Sequence, residues 1–397
     1  MTSKNNKQVN PEDFSLAVGG PLYRLCLLVG LLKKPLLLYK RRIIFISLLA
    51  WLPLFLLAAF GGVAFGGVKV PFIYDIDVHV RFIIALSLLI YAEVIAHDRI
   101  HVVVEQFLKT NIISANDRQK FQHIIASAVR LRDSVVAEIV LIVLVYTVGH
   151  WISREYLTLD VSNWYLSKIN GVNELTPAGY WYVFISLPIF RFILLRWYFR
   201  ILVWYRFLWQ ISRLSLQLNS LHPDRAGGLG FLTNSLYAFG PFLLAHTVLL
   251  TGMIFNRIWN TGATLLDFKS EIFGVIVFLI LIPLVPMLFF MFILAKEKRS
   301  GTLKYDVVAN HYVNDFRQKW INHKTTKNGE RLLGTTDIQS LADLSNSFQV
   351  TIQMRITPFG RQSIMALICL VVLPLLPLAL TMIPLDKIIN QIVTLLF

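Results

Sequence analysis

Residues 43–67 read IIFISLLAWLPLFLLAAFGGVAFGG, a run without one charged side chain that directly follows Lys40-Arg41-Arg42. A helix needs about 20 apolar residues to cross about 30 Å of hydrocarbon, so this stretch is predicted to span a bilayer. It lies too far into the chain and is too long for the core of a secretory signal, so it reads as a retained helix.

Working outward, apolar runs at 81–97, 135–152, 179–202, 233–255, 272–295 and 363–383 bring the expected number of spans to seven. Of the 38 Lys and Arg residues, 28 fall in alternate polar segments beginning with the N-terminal one, and 6 fall in the intervening segments and the tail. The other four, Arg81, Arg191, Arg196 and Arg200, lie within spans. Cytoplasmic loops retain positive charge, so the N-terminus is expected in the cytoplasm and the C-terminus outside it. The expected fold is all-α: a polytopic membrane protein with seven transmembrane helices and a cytoplasmic helical bundle.

Four regions follow. Residues 1–42 form a cytoplasmic or interfacial N-terminal part. Residues 43–295 carry the first six spans, with a cytoplasmic helical extension over 98–134. Residues 296–362 form a cytoplasmic helical loop, and 363–397 the last span with an interfacial tail. Leu22, Leu25, Cys26, Val29 and Leu32 recur at helical spacing, which predicts either a helix lying in the inner interface or a short buried cytoplasmic helix. Phe121, Ile124, Ile125, Ala128 and Leu131 predict one helix of roughly 35 residues running unbroken into the third span. In the long loop, Leu303, Val307, Val308, Tyr312, Phe316 and Trp320 continue the sixth span. A polar break at 322–334 precedes a second helix opened by a capping box, Thr336-Asp337-Ile338-Gln339. Its apolar side, Ile338, Leu341, Leu344, Phe348 and Ile352, is expected to pack on the extension of the third span.

Composition narrows the function classes. Hydrophobic residues are 56% and charged residues 15%, outside the range of ordinary soluble domains. The net charge of +15 is spread over membrane-proximal segments, so the expected partner is a bilayer with anionic headgroups and not nucleic acid. With Cys26 and Cys369 the only cysteines, neither a disulfide framework nor a thiolate metal site organises the chain. No cofactor is expected.

Ionisable side chains inside spans are costly and mark sites. At 1.5 Å per residue, Glu93 and Arg191 fall at one depth and Glu138 and Arg196 at another, which predicts two inter-helix ion pairs. Arg191, Arg196 and Arg200 are spaced by five and four, unlike a voltage sensor's ladder. Glu93, His97, His101 and Glu105 form a stripe of potential metal ligands, but a single paired His box is less than a di-iron enzyme needs. His246 stands alone in the fifth span, as a relay or a packing residue. Pro53, Pro283, Pro286, Pro374 and Pro377 break the first, sixth and last spans near mid-depth, where freed carbonyls suit an ion path. Thr381 adds a hydroxyl to that candidate path, and Asp267 and Glu271 an acidic mouth. At the opposite mouth His222, Asp224, Arg225, Gly227, Gly228 and Gly230 form a dense turn, without the Lys-Ser/Thr of a P-loop.

His222 to Leu232, Phe190 to Leu214, and Thr336 to Leu344 resemble a family of bacterial multi-pass inner-membrane proteins of uncharacterised activity. The resemblance implies a bacterial inner membrane and transfers no catalytic residue. In architecture alone, seven spans with a projecting cytoplasmic bundle resemble the insect chemoreceptor type of tetrameric ligand-gated channel. The expected function is therefore an oligomeric ion channel or small-ion transport protein, forming a homo-oligomer. A membrane-anchored sensor or assembly scaffold acting through its cytoplasmic bundle is the alternative. A membrane enzyme acting on a lipid-soluble substrate is the second alternative.

Overall fold

The computed structural model describes residues 14–33, 35–157, 163–169, 172–322, 332 and 335–382. Helices dominate: α1 (Pro21–Leu28), α2 (Tyr39–Phe60), α3 (Ile76–Lys109), α4 (Arg118–Arg132), α5 (Val135–Leu157), α6 (Pro177–Ile211), α7 (Gly230–Thr261), α8 (Leu265–Ile321), α9 (Thr336–Ile352) and α10 (Arg361–Met382). One two-stranded antiparallel hairpin, β1 (Leu166–Ile169) with β2 (Val172–Leu175), lies between α5 and α6. Six helices, α2, α3, α6, α7, α8 and α10, are long and apolar enough to cross a bilayer. The stretch expected as the third span falls on α5, whose apolar part among the described residues is Val135–Gly149. The tail after Met382 lies outside the described residues.

Helix α6 organises the bundle. Leu187, Phe190, Ile193, Trp197, Ile201, Trp204, Phe207, Leu208 and Ile211 recur every three or four residues and are all buried. Around it α2, α3, α4, α5 and α8 pack, and Phe14 stacks on Phe207 at 4.9 Å between ring centres.

Three expectations are corrected. The 98–134 extension is not one helix joined to the third span. Asn111 turns the chain with a left-handed φ of 54°, and α4 then runs to Arg132. At the second break Asp133 pairs with Arg132, and Ser134 Oγ accepts the Ala137 N–H at 3.3 Å, starting α5 afresh. Next, α9 packs antiparallel on α8 instead of on α4. Tyr312 donates to the Asp337 carbonyl, and Lys319 and Trp320 both reach the Asp337 carboxylate at 2.9 Å. The N-cap is Thr335, without a side-chain cap, so the expected capping box does not form. Meanwhile α4 spends its apolar face, Phe121, Ile124, Ile125 and Ala128, against α6. The N-terminal region also holds an element that the helical spacing of 22–32 does not announce. Phe14, Leu16 and Ala17 run as a buried strap into the bundle, and α1 buries Tyr23 and Cys26 while leaving Leu25 and Leu28 exposed.

At the far end of the bundle from Arg42, Asp75 is buried and accepts from the Trp164 indole at 2.8 Å and the Asn256 amide at 3.1 Å. Burial, with Asp77 nearby, pushes its carboxyl up from 3.8 to about 6, against the opposing pull of Arg81. A raised carboxyl pKa penalises the folded state once the group is charged, so that penalty fades as pH falls through 6. The parent protein should therefore gain melting temperature between pH 7.5 and pH 5 relative to Asp75→Asn; equal gains would contradict this placement of the carboxylate.

Candidate functional site

The densest chemistry in the fold is a buried charge network near the Arg42 end. Glu93 on α3 is met by three guanidinium groups. Arg42 from the start of α2 pairs with its Oε2, Arg200 reaches Oε1 at 2.8 Å, and Arg196 stands 3.5 Å from the same oxygen. Because Arg196 and Arg200 are four apart on α6, they present side by side on one face. Arg196 Nε also lies 3.3 Å from Glu138 at the start of α5, whose second oxygen accepts the Leu22 N–H at 3.0 Å. Arg42, Glu93, Arg196 and Arg200 have side chains at most 6% exposed.

The N-terminal strap closes this network with backbone carbonyls. Ser15 accepts from Arg132, Ala17 from Arg200 at 3.2 Å, and Gly19 from Arg196 at 3.2 Å. So close an approach needs glycine: Gly19 and Gly20 have φ of 137° and 88°, and a Cβ on Gly19 would meet the Arg132 and Asp133 side chains within 2.5 Å. Three arginines and two glutamates leave one excess positive charge, which the strap's carbonyl dipoles face. Charges this deeply buried persist only when paired and hydrogen-bonded, so the network holds α2, α3, α5, α6 and the strap in one register.

The predicted pairs are thus redistributed. Arg196 faces Glu138, as depth suggested. Glu93 does not face Arg191; Arg191, more than a turn before Arg196 on α6, donates to the Gly149 carbonyl at 2.6 Å. Equal depth does not mean equal rotation about the helix axis.

The metal stripe is also dismantled. Glu93 is bound to arginines, Glu105 pairs with Lys109 at 2.6 Å, and His97 and His101 lie 5.8 Å apart between ring centres. Among the described residues no group of three or more His, Cys, Asp and Glu is gathered as a metal would need. His246 is held on both nitrogens, by the Phe242 carbonyl at 2.8 Å and the Tyr198 hydroxyl at 2.7 Å.

The prolines meet a consistent solution. A proline removes the bond to the carbonyl four residues back and loosens that turn. Tyr205 on α6 donates to the Ile282 carbonyl, the one Pro286 frees. Ser186 donates to Ala50, in the turn Pro53 disturbs, at 2.7 Å, and Thr251 donates to Pro374, in the turn before Pro377, at 3.0 Å. Each kink is thus tied to a neighbouring helix by a hydroxyl. Losing one such bond should cost about 1 to 2 kcal/mol, so Tyr205→Phe and Thr251→Val should each lower the melting temperature. An unchanged melt in both variants would show that the freed carbonyls are satisfied otherwise.

The remaining residues of the expected path are engaged locally. Asp267 closes a capping box with Thr264, and Thr381 donates to its own helix at Leu378. Glu271 is exposed. The turn at 222–230 is built around Asp224, whose carboxylate accepts from the N–H of Ala226 at 2.7 Å, Gly228 at 3.2 Å and Gly230 at 2.8 Å, with His222 Nδ1 at 2.9 Å. These bonds hold its carboxyl below the usual range against the opposing effect of burial. Arg225, Gly227 and Gly228 carry the positive φ the loop requires. The N–H groups that a bound phosphate would need are therefore taken by the chain's own carboxylate. Arg355 then docks the 354–359 segment onto the loop through the carbonyls of Asp224 and Arg225.

No family model, curated protein or solved structure matches this chain.

Reasoning from the sequence missed Arg42 and Arg200 as partners of Glu93, and missed the strap. The four-residue spacing of Arg196 and Arg200 was the available signal for the first, and Gly19-Gly20 for the second.

Proposed function

We propose that the chain is a bacterial inner-membrane protein, with α5 as a seventh span and its N-terminus in the cytoplasm, that self-associates and serves as a membrane-anchored assembly platform or sensor. The observation that carries this reading is an exposed seam on the distal part of α8. This helix extends 57 residues, about 85 Å, against about 30 Å of hydrocarbon. Beyond its apolar part, Leu303 and Val307 are 60% and 56% exposed. With Asn310 and Asn314 they follow the 4-3-4 spacing of a coiled-coil seam, in which asparagines fix register and partner number. Residues on another side of the helix, Tyr305, Tyr312 and Phe316, are partly covered where α9 packs. A second copy of α8 is the occupant that a heptad seam fits. The dense positive charge of 296–304 suits an anionic headgroup layer beneath it.

An ion channel or transporter is less well supported. The Ile282 and Pro374 carbonyls, His246, Asp267 and Thr381, which would serve a path, are engaged within the chain. The enzyme reading loses both carboxylates of its His stripe. Reconstitution distinguishes the readings: liposomes carrying the protein should show no ion flux above empty liposomes. Flux that falls in the Asp267→Asn/Glu271→Gln double variant would favour the channel.

A further inference from the structure

We propose that a cavity of about 500 Å³, at the end of the bundle opposite the charge network, binds a small amphipathic organic cation. Its volume falls within the range of small-molecule sites. The walls are apolar where Leu57 at the end of α2, Val63 and Val68 from the following loop, and Leu166 and Leu175 from the β-hairpin meet. Glu174 is the one charged side chain among the lining residues, and it is exposed, with no ion pair among the described residues. A half-open cavity that sets these apolar side chains beside Asn163, Ser167 and Thr176 and carries a single carboxylate favours a positively charged group on an amphipathic body over an anion of the same shape.

The frame is hydrogen-bonded in place. Thr176 donates to the Trp164 carbonyl at 2.9 Å and accepts the Gly179 N–H at 3.0 Å, which joins the hairpin to the start of α6. A Cβ on Gly179 would stand 2.2 Å from the Tyr165 carbonyl oxygen, so that junction closes only around glycine. On the facing side, Phe72 and Ile73 donate to the carbonyls of Val63 and Ala64 at 3.2 and 3.1 Å, fixing the loop after α2. A pre-formed site loses little ordering entropy on binding. Phe60 and Phe65, 88% and 67% exposed at the same end of the bundle, place apolar rings where an amphipathic molecule partitioning from lipid would arrive.

The test is isothermal titration of the full chain in nanodiscs with phenethylammonium, its neutral isostere 2-phenylethanol and the anion phenylacetate. Phenethylammonium should bind saturably and more tightly than the other two. Glu174→Gln should weaken it by roughly three- to fivefold, as an exposed ion pair does, and leave 2-phenylethanol unchanged. Val68→Trp should abolish binding of both by filling the cavity; Val63→Phe replaces it if that variant does not keep the parent's melting temperature. No saturable binding, equal affinity of Glu174→Gln for the cation, or parent-like binding by the filled cavity would each overturn the proposal.

Discussion

Glu93→Gln should be the most damaging single change in the bundle. It leaves Arg42, Arg196 and Arg200 facing one another around a neutral amide, and breaking a buried pair by removing one partner costs about 3 to 5 kcal/mol. In a detergent extract the variant should melt well below the parent or be recovered only as aggregate. Glu138→Gln should cost less, about 1 to 3 kcal/mol, because Glu138 meets one arginine and one N–H and its amide oxygen can still accept the latter. If Glu93→Gln melts as the parent does, or if the two variants are equally harmed, Glu93 is not the centre of the network.

The second large effect is expected at Asp224. Replacing it by alanine orphans the N–H groups of Ala226, Gly228 and Gly230 in a loop that holds three positive-φ residues. A bond to a charged group contributes about 1.5 to 3 kcal/mol, and the set is not additive, so about 3 kcal/mol is the expected loss. Hydrogen exchange should rise over 218–232 and, because Arg355 docks on this loop, over 354–359 as well. The carboxyl's lowered pKa fixes the sign of the pH dependence: its contribution is complete above the ordinary carboxyl value and is lost as pH falls through the lowered one. Exchange that rises over 218–232 alone would separate the loop from the segment it is held to seat.

The membrane helices were readable because a span is a long, one-dimensional signal: the charge-free run at 43–67 forms α2 as far as Phe60, with its last seven residues turning out of the helix, and the run at 272–295 lies within α8. Rotation about a helix axis leaves no such signal. Depth arithmetic therefore brought Glu93 level with Arg191, while the actual partners sit at the start of α2 and two turns further along α6. The break at Asp133-Ser134 was overlooked because apolar periodicity runs through it, although Ser134 is an ordinary N-cap residue. The strap was hidden for another reason. It meets its arginine partners through its own backbone carbonyls, which every residue carries, so only the paired glycines betrayed it. The prolines announced broken helices correctly, but whether a freed carbonyl meets water or a hydroxyl depends on a neighbour distant in sequence. Ser186, Tyr205 and Thr251 supply those hydroxyls from α6 and α7.

The central claim, that copies of the chain meet along α8, is tested most directly by disulfide crosslinking in intact membranes. With Cys26 and Cys369 replaced by serine, cysteine is placed at Leu303 or Val307, and separately at exposed Asp315, which lies off the seam. Mild oxidation should convert the Leu303→Cys and Val307→Cys proteins to covalent dimers while Asp315→Cys stays monomeric. Dimers at Asp315 alone, or at none of the three positions, would contradict the account.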